Sequence, residues 1–215
     1  MNNVLLATRP NHDEATNYLH YWAKKIIVEA EKKNFIVIDL GGKKANLKDF
    51  SGRVSKVKPD IVFLNGHGSP DTIMGHDDIP LISINNNESL LNNCITYALA
   101  CSAAKNVGKS VVKAGSNSFI GYSEDFIFLH QIDKTTRPLE DKTAALFFEP
   151  SNLIVSSIIK GHSAKEATEK SKSLFKRNLR KLMTSESPQE DKSAITWLYW
   201  DMIHLECLGN HLATI

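Results

Sequence analysis

The chain has 215 residues, 42% hydrophobic and 23% charged, with a formal net charge of +2. That length suits one well-buried core in a single domain over 1–215, and the composition excludes a disordered or fibrous chain. So small a charge gives no electrostatic footprint for nucleic acid, and no apolar run approaches the roughly 20 residues of a membrane span.

VLLAT (4–8) reads as a first strand, and its flanks lack the basic and long apolar regions of a signal peptide. Residues 13–33 place Ala15, Leu19, Trp22, Ile26, Ile27 and Ala30 on one helical face. FIVIDL (35–40) is a second strand closed by Gly41-Gly42, the Lys-rich segment 43–58 a short helix, and IVFLN (61–65) a third strand. IPLIS (79–83) reads as a short strand or a buried loop, NESLLNN (87–93) as a helical turn, and ITYALA (95–100) as a strand. A helix is expected over 103–114, ending at Gly115, before the strand SFIGY (118–122).

The second half is mostly helical. One or two helices are expected over 134–160 with a break at Pro150, and Ser163 with Glu166 forms a capping box that starts another. In KSLFKRNLRK (172–181) the apolar residues recur at helical spacing, so the basic ones form a solvated face. A last helix opens near Asp191, and HLECLGN (204–210) closes the chain as a strand. Continuous apolar strands alternating with helices predict an α/β fold: a three-layer α/β/α sandwich around a mostly parallel central sheet.

Three cysteines, Cys94, Cys101 and Cys207, leave one unpaired whatever bridge forms, which fits a reducing, cytoplasmic setting. Two strands stop at reactive side chains: IVFLNGHGS at His67 and CITYALACSAA at Cys101. In open α/β sheets the C-terminal strand edge is where sites form. A thiol needs less activation than a serine hydroxyl, so a His/Cys pair suffices for nucleophilic catalysis. The helix expected after Ser102 would favour the thiolate through its N-terminal partial charge. The N–H groups of Gly68 and Cys101 are candidate oxyanion donors. Cys94 and Cys207 read as buried structural residues, and His76, His130 and His162 as residues without a role.

The segments FLNGHGS and ALACSAA resemble the histidine and cysteine motifs of the caspase–hemoglobinase fold of cysteine peptidases. VGKSVVKAGSNSFIGY is similar to that group's next helix, turn and strand, and GHSAKEAT with WDMIHLECLGN to the C-terminal helix and last strand of its gingipain- and CHAT-like members. The QAC-type cysteine motif of true caspases is absent. The resemblance implies a caspase-like fold and a cysteine endopeptidase that cleaves a protein or peptide substrate without a cofactor. Cys101 would be the nucleophile, His67 the acid–base partner, and no third residue is needed to orient the histidine. It also implies a regulatory or sensor partner and, by family habit, a role in stress or antiviral responses.

Family members read the P1 side chain from three regions, which here offer Arg9, Asn11 and Asp13; Leu99; and Ser123, Glu124 and Asp125. Asp13, Glu124 or Asp125 in the pocket would select a basic P1, and Arg9 an acidic one. Two other functional readings compete. AAKNVGKS (103–110) matches a relaxed P-loop, but it lacks the first glycine, and the presumed Mg²⁺ strand FIVID precedes it. A catalytically silent caspase-like scaffold serving as an interaction module is the other. His67, His76, Asp77 and Asp78 lie close in sequence, yet no CxxC or HExxH spacing supports a metal, and Gly75–Asp78 reads as a polar loop.

Overall fold

The structure is a computed structural model that describes residues 2–184 and 191–215. Along the chain run β1 (Val4–Arg9), α1 (Glu14–Lys32), β2 (Ile36–Gly41), α2 (Leu47–Val57), β3 (Ile61–Asn65), β4 (Thr72–Met74) and β5 (Pro80–Ser83). There follow β6 (Ile95–Leu99), α3 (Val107–Lys113), β7 (Ser118–Tyr122), α4 (Lys142–Ile159), α5 (Ala164–Leu182), α6 (Ala194–His204) and β8 (Leu205–Gly209).

Six strands form one sheet in the order β2-β1-β3-β6-β7-β8, parallel except for β8, which runs antiparallel to β7 at the edge. Strand alternation sorts the core onto two faces. Leu5, Phe63, Tyr97 and Ile120 pack under α1 and α4, while Leu6, Val62, Leu64 and Phe119 pack under α2 and α3. Each such side chain, fully buried, contributes about 1.5–3 kcal/mol of transfer free energy. With both faces covered, the strands must be apolar throughout, and the expected α/β/α sandwich is what forms. A third cluster, Phe147, Phe175, Leu179, Leu182, Ala194 and Leu198, joins α4, α5 and α6 and buries the apolar face of the basic helix.

One open alternative is resolved and two local expectations need correcting. IPLIS does form a strand, β5, but it pairs antiparallel with β4 in a separate hairpin outside the main sheet. No break occurs at Pro150: α4 runs through it. Proline leaves the Leu146 carbonyl without its helical donor, and Asn178 Nδ2 of α5 donates to it instead, at 2.9 Å. The helix expected from residue 103 begins only at Val107, because Ser102 takes a left-handed turn (φ 54°) and residues 101–106 form turns. Among the described residues, no helix is long and apolar enough to cross a membrane.

The chain runs outward from β1 to β2, then returns to the other side of β1 as β3. The connections therefore diverge between β1 and β3, the place where an open sheet leaves a crevice at its C-terminal edge. The segments that follow β1, β3 and β6 meet there.

Candidate active site

Asn65 of β3 lies opposite Leu99 of β6, so the two strands end together and deliver His67 and Cys101 to the same edge. Glycine makes the approach close enough. A Cβ on Gly68 would overlap the Cys101 carbonyl oxygen and lie 3.0 Å from the Cys101 nitrogen. Gly66, at φ 150°, passes against the Met74 carbonyl in a conformation that L side chains rarely adopt.

His67 is held by a residue that the sequence reading placed in the substrate pocket. Its Nε2 lies 2.6 Å from Asp13 Oδ2. Asp13 is the N-cap of α1 and accepts from the Thr16 N–H at 2.7 Å. Partial burial pushes its carboxyl up, but the Thr16 hydrogen bonds, then His67, outweigh this and hold its pKa at about 2. An ionised carboxylate can only accept. Nε2 therefore carries the ring proton, and Nδ1 keeps the lone pair. Asp13 thus orients the His67 ring, a contact that no sequence pattern nominated.

Cys101 is differently disposed. Its Sγ donates to the Phe126 carbonyl at 3.8 Å, and among the described residues no hydrogen bond joins it to His67. Burial, then the negative charge of Asp125, pushes its thiol up to about 11. The helix-dipole assistance expected from the sequence is not available, since α3 starts well beyond the cysteine and spans only Val107–Lys113. The segment over the thiol is tied down by Ser102 N–H to the Glu124 carbonyl (3.0 Å), Ser102 Oγ to Asp125 Oδ1 (2.9 Å) and Trp200 Nε1 to the Asp125 carbonyl (2.9 Å).

Backbone donors remain for an oxyanion. Gly68 and Ile73 form a bridge whose hydrogen bonds run from Ser69 N to Thr72 O and from Met74 N to His67 O. The Gly68 N–H therefore points away from the hairpin, and neither it nor the Cys101 N–H has a partner among the described residues.

The remaining pocket candidates divide. Arg9 is a correction: it is 7% exposed, clasps Asp39 through two 2.8 Å bonds and donates to the His20 carbonyl at 3.0 Å. It ties β1 to β2, with its charge already paired to Asp39 rather than held free for an acidic P1. Leu99 is 1% exposed and belongs to the core. Asn11 donates its N–H to His76 Nδ1 at 3.2 Å. Ser123 bonds the His204 carbonyl through both its N–H and its hydroxyl. Glu124 pairs with Lys105 at 3.0 Å, and Asp125 is exposed beside the thiol. Behind this loop lies a residue the sequence did not single out: Asp201 of α6, fully buried, accepting from the Ile127 N–H at 3.1 Å. Its other oxygen has no partner, and burial raises its carboxyl well above the usual range against that one bond.

The P-loop reading also fails on geometry. The GKS opens α3 as a P-loop would, but the Gly108 position is closed by the Phe119 ring. Ser110 Oγ donates to Glu88 at 2.6 Å. All three cysteines are free; Cys94 is buried, and its thiol donates to the Leu91 carbonyl at 3.1 Å.

No protein-family description and no curated protein matches the chain. Among solved structures it is similar to an inactive zymogen of a C11 protease from Parabacteroides distasonis, at 13% identity and a TM-score of 0.44, over 96% of this chain and 83% of that one.

Proposed function

We propose that the chain is one caspase-like peptidase domain, a cysteine endopeptidase with Cys101 as nucleophile and His67 as proton-transfer residue. The observation that carries this reading is the delivery of both side chains to one sheet edge, with an ionised Asp13 fixing the His67 ring. Cys101 Sγ attacks the scissile carbonyl, and the N–H groups of Gly68 and Cys101 receive the developing oxyanion. His67 Nδ1 takes the thiol proton as Sγ attacks, gives it to the leaving amine as the peptide C–N bond breaks, and then takes a proton from the water that hydrolyses the thioester. Asp13 keeps the proton on Nε2 and stabilises the imidazolium that forms, as a positioning residue.

The resting thiol is protonated and bound to the Phe126 carbonyl. Turnover therefore begins with displacement of the segment around Phe126, by substrate or by a regulatory partner. Asp125 and Glu124 on that segment favour a basic P1 residue by charge pairing. Moving the segment also uncovers Asp201, whose unpartnered oxygen suits the same cation.

The test is cleavage of a peptide library varied at P1 by the wild type, Cys101→Ala and His67→Ala. Cleavage after Lys or Arg that both substitutions abolish supports the reading. Peptide cleavage that survives Cys101→Ala sinks it.

A further inference from the structure

The His67 side of the site carries more donors than proton transfer requires. His12, in the segment between β1 and α1, lies edge-on to His67 and to His76, with ring centroids 5.9 and 5.2 Å away. Its Nε2 is 3.3 Å from Asp78 Oδ1 and 3.9 Å from Asp13 Oδ2. The nearest donor atoms of His12, His67 and Asp78 all lie within 4.8 Å of one another, and so do those of His12, His76 and Asp77.

Hydrogen bonding decides between the two groups. His76 Nδ1 accepts from the Asn11 N–H, so it cannot take over the proton that a metal would displace from Nε2. His12 Nε2 faces the Asp78 carboxylate at 3.3 Å and so holds the ring proton, but Nδ1 is buried with no partner and can take that proton when a metal binds Nε2. We infer that His12 Nε2, His67 Nε2 and Asp78 Oδ1, with Asp13 Oδ2 as fourth donor, form a site for a zinc-like divalent transition-metal ion. Two imidazoles and two carboxylates suit such an ion rather than Ca²⁺ or Mg²⁺, and the two acids neutralise its charge. Tetrahedral bonds of about 2.0–2.2 Å need donors about 3.4 Å apart. Three of the separations, 2.6 Å between His67 and Asp13, 3.3 Å between His12 and Asp78 and 3.9 Å between His12 and Asp13, bracket that spacing, and His12, His67 and Asp78 have donor atoms within 4.8 Å of one another.

The consequence is regulatory, and this clause rests on the peptidase reading. A metal on His67 Nε2 displaces the proton now shared with Asp13 and shifts it to Nδ1, the atom that works on the substrate. The ring stays neutral, and the base is lost. Metal occupancy and catalysis therefore exclude each other.

The site is tested on Cys101→Ala protein, which removes the neighbouring thiol as a competing ligand and needs no activity. Calorimetric titration with Zn²⁺ is expected to give one equivalent bound, with Mg²⁺ giving none. Adding Asp78→Asn or His12→Ala is expected to weaken Zn²⁺ binding at least tenfold. Asp78 is 58% exposed, and among the described residues its one side-chain hydrogen bond and ion pair is with His12, so its variant separates ligand loss from misfolding. Zn²⁺ binding of unchanged affinity in Asp78→Asn overturns the proposal. In the enzyme with Cys101 intact, Zn²⁺ is expected to inhibit peptide cleavage, and Asp78→Asn to resist it tenfold or more. If Zn²⁺ binds and Asp78→Asn weakens it while no peptide is cleaved, the site stands and the peptidase reading falls.

Discussion

His67 and Cys101 end neighbouring strands, yet their surroundings differ in kind. The histidine is exposed by about a third and already oriented, with Nε2 on an ionised carboxylate and Nδ1 left for work. The cysteine is covered, its thiol bonded to a backbone carbonyl and its pKa raised by burial and by Asp125. One half of the site is set by a short, capped connection at the start of α1, the other by a loop pinned from α6. The contrast teaches that acid–base geometry and nucleophile availability are separately controlled here. On the proposed mechanism, activation has to act on the Cys101 side.

The largest expected effect breaks the prepared half. Asp13→Asn keeps a good N-cap for α1, since Asn caps about as well as Asp, but it removes the acceptor that fixes the His67 tautomer. A fall in kcat on the order of 10²–10⁴ with an unchanged melting temperature is expected from steady-state kinetics and calorimetry. Next is Arg9→Ala, which strands the partly exposed Asp39, still reached by Lys24 at 3.3 Å. About 3 kcal/mol of stability should be lost in urea unfolding, the low end for a broken buried pair, with P1 preference unaltered.

The covered half is probed by alkylation with iodoacetamide. At pH 7.5 Cys101 should react on the order of tenfold or more slowly than a free cysteine, and its rate should climb as pH approaches about 11. Asp125→Asn should speed it by removing a charge that opposes the thiolate. The smallest effect concerns Asp201. Its folded carboxyl titrates well above the unfolded one, so the folded state holds a proton that the unfolded chain releases. Stability from this group is present below the unfolded pKa and declines as pH rises above it. Asp201→Asn should flatten that decline in a pH series of urea midpoints, with a change on the order of 1 kcal/mol at neutral pH.

Most of the sheet was legible because its strands are apolar on both faces and end in small residues. The β4 strand was not: TIM is too short an apolar run, and it forms by pairing with β5 and with residues 67–69. Pro150 misled because its compensation, Asn178, comes from another helix. The delayed start of α3 hides in the φ of Ser102, which composition does not report. In the site, His67, Gly68 and Cys101 announce themselves at strand ends. Asp13, His12 and Asp201 act across the fold, and a single sequence carries no signal for a partner so far along the chain. Knowing that β1 lies beside β3 is what brings the segment PNHD to His67.

The central claim is that His67 and Cys101 work as one site, and labelling with a peptidyl acyloxymethyl ketone tests it most directly. Mass spectrometry is predicted to find the adduct on Cys101 alone, abolished by His67→Ala and reduced by Asp13→Asn. Labelling of Cys94 or Cys207 to the same extent, or labelling of Cys101 that His67→Ala leaves unchanged, would contradict the account.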